Sequence, residues 1–147
     1  NALFFGRAKA SRLVMPWSTY TDPETAHLGL YEKDARERGI ETDVISVELG
    51  KADRAILDGE SGLLKVVLRK GTDQVLGATL VSRHAGETIS ELTTAITHGI
   101  GLRKLASVIH PYPTQAEVIK RAADAYNRTR LTPGVKKLFE RVLAWRR

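Results

Sequence analysis

The chain has 147 residues, of which 42% are hydrophobic and 27% are charged; it has no cysteine and a formal net charge of +6. These values are typical of one folded domain. They exclude a disulfide scaffold, a cysteine zinc site and thiol chemistry by this chain alone. No apolar run approaches the roughly 18 residues that a membrane-spanning helix needs. The chain begins at Asn1 without a signal peptide, and we expect it to be a fragment of a cytoplasmic protein.

Short elements separated by turns are predicted in the first third of the chain. Pro16 has no amide hydrogen to donate, which favours a sheet edge for the first extended run. Asp22 and Pro23 are typical of a turn or a helix start, and Gly39 ends the polar segment before it. In chain order we expect the end of a helix at 2–10, a strand at 14–21, a turn or short helical entry at 22–24, a strand at 26–30 and a helix at 31–38.

The middle of the chain is predicted to be rich in β-strands. Ile45, Val47 and Leu49 alternate with period two, which indicates a strand with one buried face. Gly77 within a later strand indicates a close backbone approach or a bulge. The expected elements are a strand at 42–49, a helical turn at 52–57, and a hairpin of strands 63–69 and 75–81 around a turn at 70–73.

The remainder of the chain is predicted to be helical. Apolar residues recur with helical spacing at 85–98, 102–106, 114–126 and 132–147. Thr132 and Pro133 are suited to begin the last helix, whose apolar stripe should pack on the domain; the stripe comprises Val135, Leu138, Phe139 and Val142. Strands flanked by helices, without alternation of the two, predict an α+β fold with helices packed on an antiparallel β-sheet.

Positive charge is concentrated at the C-terminal end. The last 30 residues contain nine Lys or Arg against Asp124 and Glu140, whereas the first 117 residues are nearly neutral. A solvated helix face is the usual explanation. A basic binding module for a membrane surface or nucleic acid is the alternative. Because no zinc finger, RNP-like motif or helix-turn-helix is present, we expect no nucleic-acid partner, and we rank membrane-surface contact by the last helix below the solvated face.

One segment, Val-Ile-His-Pro-Tyr-Pro-Thr-Gln-Ala-Glu at 108–117, carries the candidate chemistry. Structurally, Thr114 and Glu117 have the spacing of a capping box, worth about 1 kcal/mol, and an aromatic residue before Pro113 favours a cis bond. Functionally, the turn presents His110 or Tyr112 with Glu117 behind it, a pattern suited to an oriented general base or a hydroxyl group. The four histidines have no ligand spacing, so no metal site is expected, and no nucleophile motif supports a hydrolase.

This segment resembles the C-terminal motif of the pyridine nucleotide–disulfide oxidoreductases, in which His-Pro-Thr-x-x-Glu opens a helix of the dimerisation domain. Two further stretches support the resemblance. Residues 16–29 are similar to the entry to that domain, and the hairpin at 63–81 with the Ala-Gly-Glu-Thr-Ile that begins at Ala85 is similar to its central block. Order and spacing agree over about residues 10–127.

The resemblance implies a division of the chain and a set of partners. Residues 1–10 would end a helix of the preceding FAD domain, 11–131 would form the dimerisation domain, and 132–147 a basic C-terminal helix. FAD and NAD(P)H would be bound by domains missing here, with no cofactor in this fragment. The chain would form a homodimer, contribute residues to the partner subunit's active site, and be inactive alone.

The resemblance also assigns the site residues. Tyr112 stands where glutathione reductase and lipoamide dehydrogenase carry the catalytic His, and Glu117 is its paired carboxylate; His110, two residues earlier, is the second choice. Together with Pro111 and Pro113, His110 and Tyr112 would lie near the partner's flavin. Tyrosine at this position resembles mercuric reductase, but the tail lacks that enzyme's cysteine pair, so we expect a relative rather than a competent mercuric reductase. An unperturbed tyrosine, with a pKa of about 10, is a poor base at neutral pH.

Overall fold

The computed structural model describes residue 9 and residues 13–145, with the backbone alone described at 133, 136 and 138. The predicted helix end at 2–10 therefore lies outside the described residues, apart from Lys9. The strands are β1 (Trp17–Thr19), β2 (Glu24–Gly29), β3 (Thr42–Glu48), β4 (Leu63–Arg69) and β5 (Val75–Ser82). The helices are α1 (Glu32–Glu37), α2 (Asp53–Asp58), α3 (Ala85–Thr97), α4 (Leu102–Leu105), α5 (Glu117–Thr129) and α6 (Pro133–Trp145), with a 3₁₀ turn at Leu49–Lys51.

The five strands form one antiparallel sheet in the order β1-β2-β5-β4-β3. The predicted hairpin of β4 and β5 is its centre, with Val66 opposite Ala78, and β3 and β2 pair on either side of it. The two central strands are long because most of their residues are Val or Leu and largely buried. This arrangement confirms the α+β prediction.

The hydrophobic core lies between one face of this sheet and helices α3, α4 and α5. Alternate residues of the central strands point to that face, and each helix contributes one apolar stripe. The largest fully buried side chains are Leu28, Leu49, Leu64, Leu68, Leu80, Ile89, Leu92, Leu102 and Ile119. Packing of this kind fixes the ends of α4 and α5, between which the candidate site lies.

Two glycines allow β2 and β5 to approach closely where β2 ends, at the Gly29–Gly77 pair. Gly29 has a φ of +73°, and a Cβ there would overlap the Leu76 carbonyl oxygen; a Cβ on Gly77 would overlap the Leu30 carbonyl oxygen. The predicted close approach at Gly77 is confirmed, and the β4–β5 register shifts opposite it, between Val67 and Leu68.

The structure corrects several predicted boundaries. The first strand is limited to Trp17–Thr19 instead of 14–21. The Asp22–Pro23 bond is cis and β2 starts at Glu24, so this segment is a turn and the short helical entry was wrong. Among residues 9 and 13–145, no helix combines the length and the apolar character needed to cross a bilayer.

The predicted capping box at Thr114 is wrong. Helix α5 begins at Glu117, because Gln115 and Ala116 form a turn in which their carbonyls accept from Val118 and Ile119 at 3.1 and 3.0 Å. The Thr114 hydroxyl donates instead to the carbonyl of Pro111 at 2.8 Å. Its side chain therefore stabilises the preceding turn and not the helix.

The last helix is capped as predicted but is not packed as predicted. The Thr132 hydroxyl accepts from the amide of Val135 at 3.4 Å. However, Phe139 is 54% exposed and Val142 is 43% exposed. The expectation that Phe139 and Val142 are buried on the domain was therefore wrong; the core face of the sheet is filled by α3, α4 and α5.

Candidate functional site

The candidate site is the turn at residues 106–116, which joins α4 to α5. Leu105 and Val118 are buried at its two ends and hold it to the core. Between them the chain runs on the surface: Ile109 is 94% exposed and Tyr112 is 71% exposed, and the Tyr112–Pro113 bond is cis, as favoured by the sequence. A turn anchored at both ends can present side chains outward with little freedom of the backbone.

His110 points inward from this turn. Its Nε2 lies 2.9 Å from one carboxylate oxygen of Glu91 on α3 and 3.2 Å from the other, and its side chain is only 6% exposed. Its Nδ1 is buried without a hydrogen-bond partner among the described residues. Glu91 therefore orients the His110 ring. The sequence did not indicate Glu91 as a partner of His110.

Tyr112 is bound by Asp53, the first residue of α2. Its hydroxyl donates to Oδ2 of Asp53 at 2.6 Å. This hydrogen bond, followed by the negative charge of Asp53, raises the pKa of Tyr112 above its usual value of 10.0. Tyr112 is therefore a neutral phenol near pH 7. Asp53 was also missed, because 59 residues separate the two positions and no local pattern connects them.

Glu117 is engaged by Arg121, one helical turn further along α5. Nη2 of Arg121 lies 3.0 Å from Oε1 of Glu117 and 3.9 Å from Oδ1 of Asp53. The guanidinium thus links both carboxylates, and Tyr112, Asp53, Arg121 and Glu117 form one connected group, which we call the Tyr112 network. The structure brings Tyr112 and Glu117 into this network without a direct hydrogen bond between them, and places His110 in a separate pair.

A groove of about 550 Å³ runs between β3 and α5 beside the Tyr112 network. Glu117 and Arg121 line one part of it. Two further basic residues of its lining, Lys51 and Lys120, lie beside Glu48 and Asp124 at 3.0 and 2.8 Å, and Arg128 lines it as well. In the part of the chain that the structure describes, no three His, Cys, Asp or Glu side chains gather as a metal site requires. The chemistry visible here is a hydroxyl and paired charges.

Comparison with known proteins agrees with this fold and this turn. Residues 15–123 match the family model for the dimerisation domain of the pyridine nucleotide-disulphide oxidoreductases. A mercuric reductase of Shewanella putrefaciens is 34% identical over 124 residues, which cover 84% of this chain and 22% of that protein. A dihydrolipoyl dehydrogenase of Thermus scotoductus is 39% identical over 115 residues, or 78% of this chain and 25% of that protein.

A solved structure supports the same assignment. LpdA from Mycobacterium tuberculosis superposes with a TM-score of 0.77 at 25% identity, covering 85% of this chain and 28% of that one. The sheet, its helices and the turn between α4 and α5 define a dimerisation domain of the kind found in disulfide reductases. The chain belongs to the pyridine nucleotide–disulfide oxidoreductase family, and it spans about a quarter of the length of these relatives.

Proposed function

We propose that this domain, residues 11–131, forms the homodimer interface of a cytoplasmic FAD- and NAD(P)H-dependent oxidoreductase. In this proposal, the turn that carries Tyr112 reaches the active site of the partner subunit. The observation that carries it is the exposure of Ile109 and Tyr112 on a turn anchored at both ends by the core. In a chain of a dimerisation family, an exposed apolar residue and a held hydroxyl on a projecting turn suit contact with a second protein surface.

The residues of the turn fit contact with a flavin that is held elsewhere. Ile109 and Tyr112 project outward, with an apolar surface and a hydroxyl, whereas His110 faces inward against Glu91. When bound, FAD supplies electron transfer between nicotinamide and substrate. In this proposal the role of the chain is to position Tyr112, to hold the proton of its hydroxyl and to exclude water from the site. We infer that the chain alone is inactive, because the relatives named as reductases or dehydrogenases are about three to four times as long.

The neutral state of Tyr112 bears on the kind of reaction. A disulfide reductase that uses a base at this position needs a group that accepts a proton near neutral pH. Because Asp53 raises the pKa of Tyr112, the phenol does not meet that need. Tyr112 instead serves as a hydrogen-bonding group for the substrate, with Glu117 held in place by Arg121.

Sedimentation equilibrium of the 147-residue chain tests the interface directly. We expect a concentration-dependent dimer, since the family's interface domain buries its contact surface against a second copy. A chain that stays monomeric at the highest soluble concentration would contradict the proposal.

A subsidiary proposal concerns α6, the basic helix within 132–147. Phe139, Val142, Leu143 and Trp145 are exposed on it, and Lys137 and Arg141 are exposed beside them. An amphipathic helix with aromatic and basic residues suits the interface of an anionic membrane. Binding to lipid vesicles tests this contact.

A further inference from the structure

Tyr112 is held by a carboxylate other than the one that the family motif supplies. In the motif, the residue at this position pairs with the glutamate five residues later, here Glu117. In the structure, the Tyr112 hydroxyl donates to Asp53 at 2.6 Å, while Glu117 is bound to Arg121 at 3.0 Å. Asp53 lies on α2, in a different part of the chain, and Arg121 lies between the two carboxylates.

We propose that Asp53 is the positioning residue of Tyr112, taking the place of Glu117, and that Arg121 holds Asp53 and Glu117 together. This inference rests on the proposed function, in which Tyr112 reaches the partner's active site. The hydrogen bond fixes the direction of the phenol because a hydroxyl with a charged acceptor at this distance is well oriented. Among the described residues, Asp53 is the charged group to which the Tyr112 hydroxyl donates.

The direction of the proton determines which substrate group Tyr112 can meet. A phenol has one hydrogen and two lone pairs, and the hydrogen is donated inward to Asp53. The oxygen therefore offers lone pairs to whatever approaches from outside. With two carboxylates and one guanidinium behind it, the network has a net negative charge. The site thus favours a substrate group that donates a hydrogen bond or carries positive charge, such as a protonated thiol or an amide N–H, and disfavours a thiolate.

Asp53 and Arg121 act on the pKa of Tyr112 in opposite directions. The hydrogen bond and charge of Asp53 raise the pKa of Tyr112, the charge of Glu117 adds a smaller effect in the same direction, and Arg121 lowers it. These three are the charged groups of α2 and α5 that act on the phenol. Removal of Asp53 and removal of Arg121 should therefore shift the titration of Tyr112 in opposite directions.

The test is titration of Tyr112 in the 147-residue chain by NMR with ¹³C-labelled tyrosine, the Tyr112 signal being identified with Tyr112→Phe. Asp53→Asn should lower the pKa of Tyr112 towards the ordinary tyrosine value, and Arg121→Gln should raise it. Asp58→Asn is the matched control: Asp58 lies on the same helix but pairs with Arg54 at 2.6 Å, and its variant should titrate like the wild type.

The proposal is overturned if Asp53→Asn leaves the Tyr112 pKa unchanged. It is also overturned if Glu117→Gln lowers the Tyr112 pKa by as much as Asp53→Asn does. Circular dichroism establishes that each variant is folded. Should Asp53→Asn fail to fold, Arg121→Gln decides: a raised pKa supports the network, and an unchanged pKa overturns it. Sedimentation of the same samples separates this inference from the proposed function. If the chain is a monomer but the Tyr112 pKa shifts as expected in both variants, only the proposed dimer is contradicted. If the chain is a dimer and the pKa does not shift, only the role of Asp53 is contradicted.

Discussion

At the scale of single residues, His27 shows how burial sets the charge of a side chain. Its ring is stacked on Tyr31 with the centroids 3.6 Å apart and the planes 3° from parallel, and Trp17 lies on it at 5.9 Å. The ring nitrogens are 2.8 Å from the Thr79 hydroxyl and 3.2 Å from the Gly29 carbonyl. The side chain is 3% exposed. Loss of water lowers its pKa below 6.5, although the Gly29 carbonyl opposes this.

The first prediction follows from the lowered pKa of His27. A histidine that is harder to protonate in the folded chain stabilises the fold above its unfolded pKa, and this stability is lost as pH falls. The free energy of unfolding, measured by urea denaturation, should therefore decrease between about pH 8 and about pH 5. His27→Gln should be less stable by about 1 kcal/mol at the upper pH through the lost hydrogen bond, with a weaker dependence on pH.

The control for this prediction is His98→Gln. His98 ends α3 in an exposed position, so its variant should keep the pH dependence of the wild type. Parallel pH curves for the wild type and His27→Gln would contradict the prediction, because they would place the titrating group elsewhere.

At the scale of elements, α5 and α6 have the same length and comparable patterns but different surroundings. The apolar face of α5 is buried on the sheet and α4, with Val118, Ile119 and Ala122 at 0% exposure. On α6, by contrast, Phe139 is 54% exposed and Trp145, at its end, is 87% exposed. An amphipathic pattern therefore predicts a helix with one apolar face. Whether that face is buried depends on the elements that lie beside the helix in the fold.

Removal of α6 provides a prediction at this scale. A chain ending at Leu131 should keep the melting temperature of the full chain within a few degrees, because a loss of well under 1 kcal/mol corresponds to about that shift. The full chain should co-float with vesicles rich in phosphatidylglycerol and not with phosphatidylcholine vesicles, and the shortened chain should bind neither. Equal flotation of the two chains would exclude α6 as the lipid contact.

The folding of the shortened chain and its lipid binding are separate readouts. A large drop in melting temperature would show that α6 packs on the domain. Added salt should weaken binding of the full chain to the vesicles, since Lys137 and Arg141 contribute electrostatic attraction to the anionic lipid.

At the scale of the whole molecule, helices α3, α4 and α5 cover one face of the sheet, and the turn between α4 and α5 projects from the domain. The exposed apolar residues of this turn and the Tyr112 network lie together on α2, α5 and the segment between α4 and α5. Ile109 is 94% exposed. In the proposed homodimer a second copy of the chain would cover this side chain, since apolar anchors near the centre of interfaces carry much of the binding energy.

Ile109→Asp tests whether this turn belongs to the interface. A buried anchor of this kind is worth roughly 1–3 kcal/mol, so the dimer should weaken by about fivefold to a hundredfold in sedimentation experiments. Met15→Asp is the matched control, because Met15 is also apolar and 72% exposed but lies near the other end of the described chain. Equal weakening by both variants, or by neither, would place the interface away from the turn.

Local patterns in the sequence predicted most of the elements. Alternation at Ile45 and Val47, the turn between β4 and β5, and the helical spacing at 85–97 each depend on neighbours within a few residues, and each is present in the structure. The start of α5 was misplaced at Thr114 for a related reason. A threonine followed three residues later by a glutamate is a capping signal, but here the Thr114 hydroxyl donates to the carbonyl of Pro111 instead.

The sequence by itself determined the fold class, the family resemblance and the position of the turn at 108–117, because periodicity and motif spacing are properties of short stretches of chain. Helical spacing also accounts for the Glu117–Arg121 pair, because the two residues are four apart on α5. Tertiary structure alone decided the other partners within the site: Asp53 meets Tyr112 across 59 residues and Glu91 meets His110 across 19. Such pairs depend on how α2, α3 and α5 are packed on the sheet. Side-chain hydrogen bonds and charges follow distance in space, and spacing along the chain does not specify that distance.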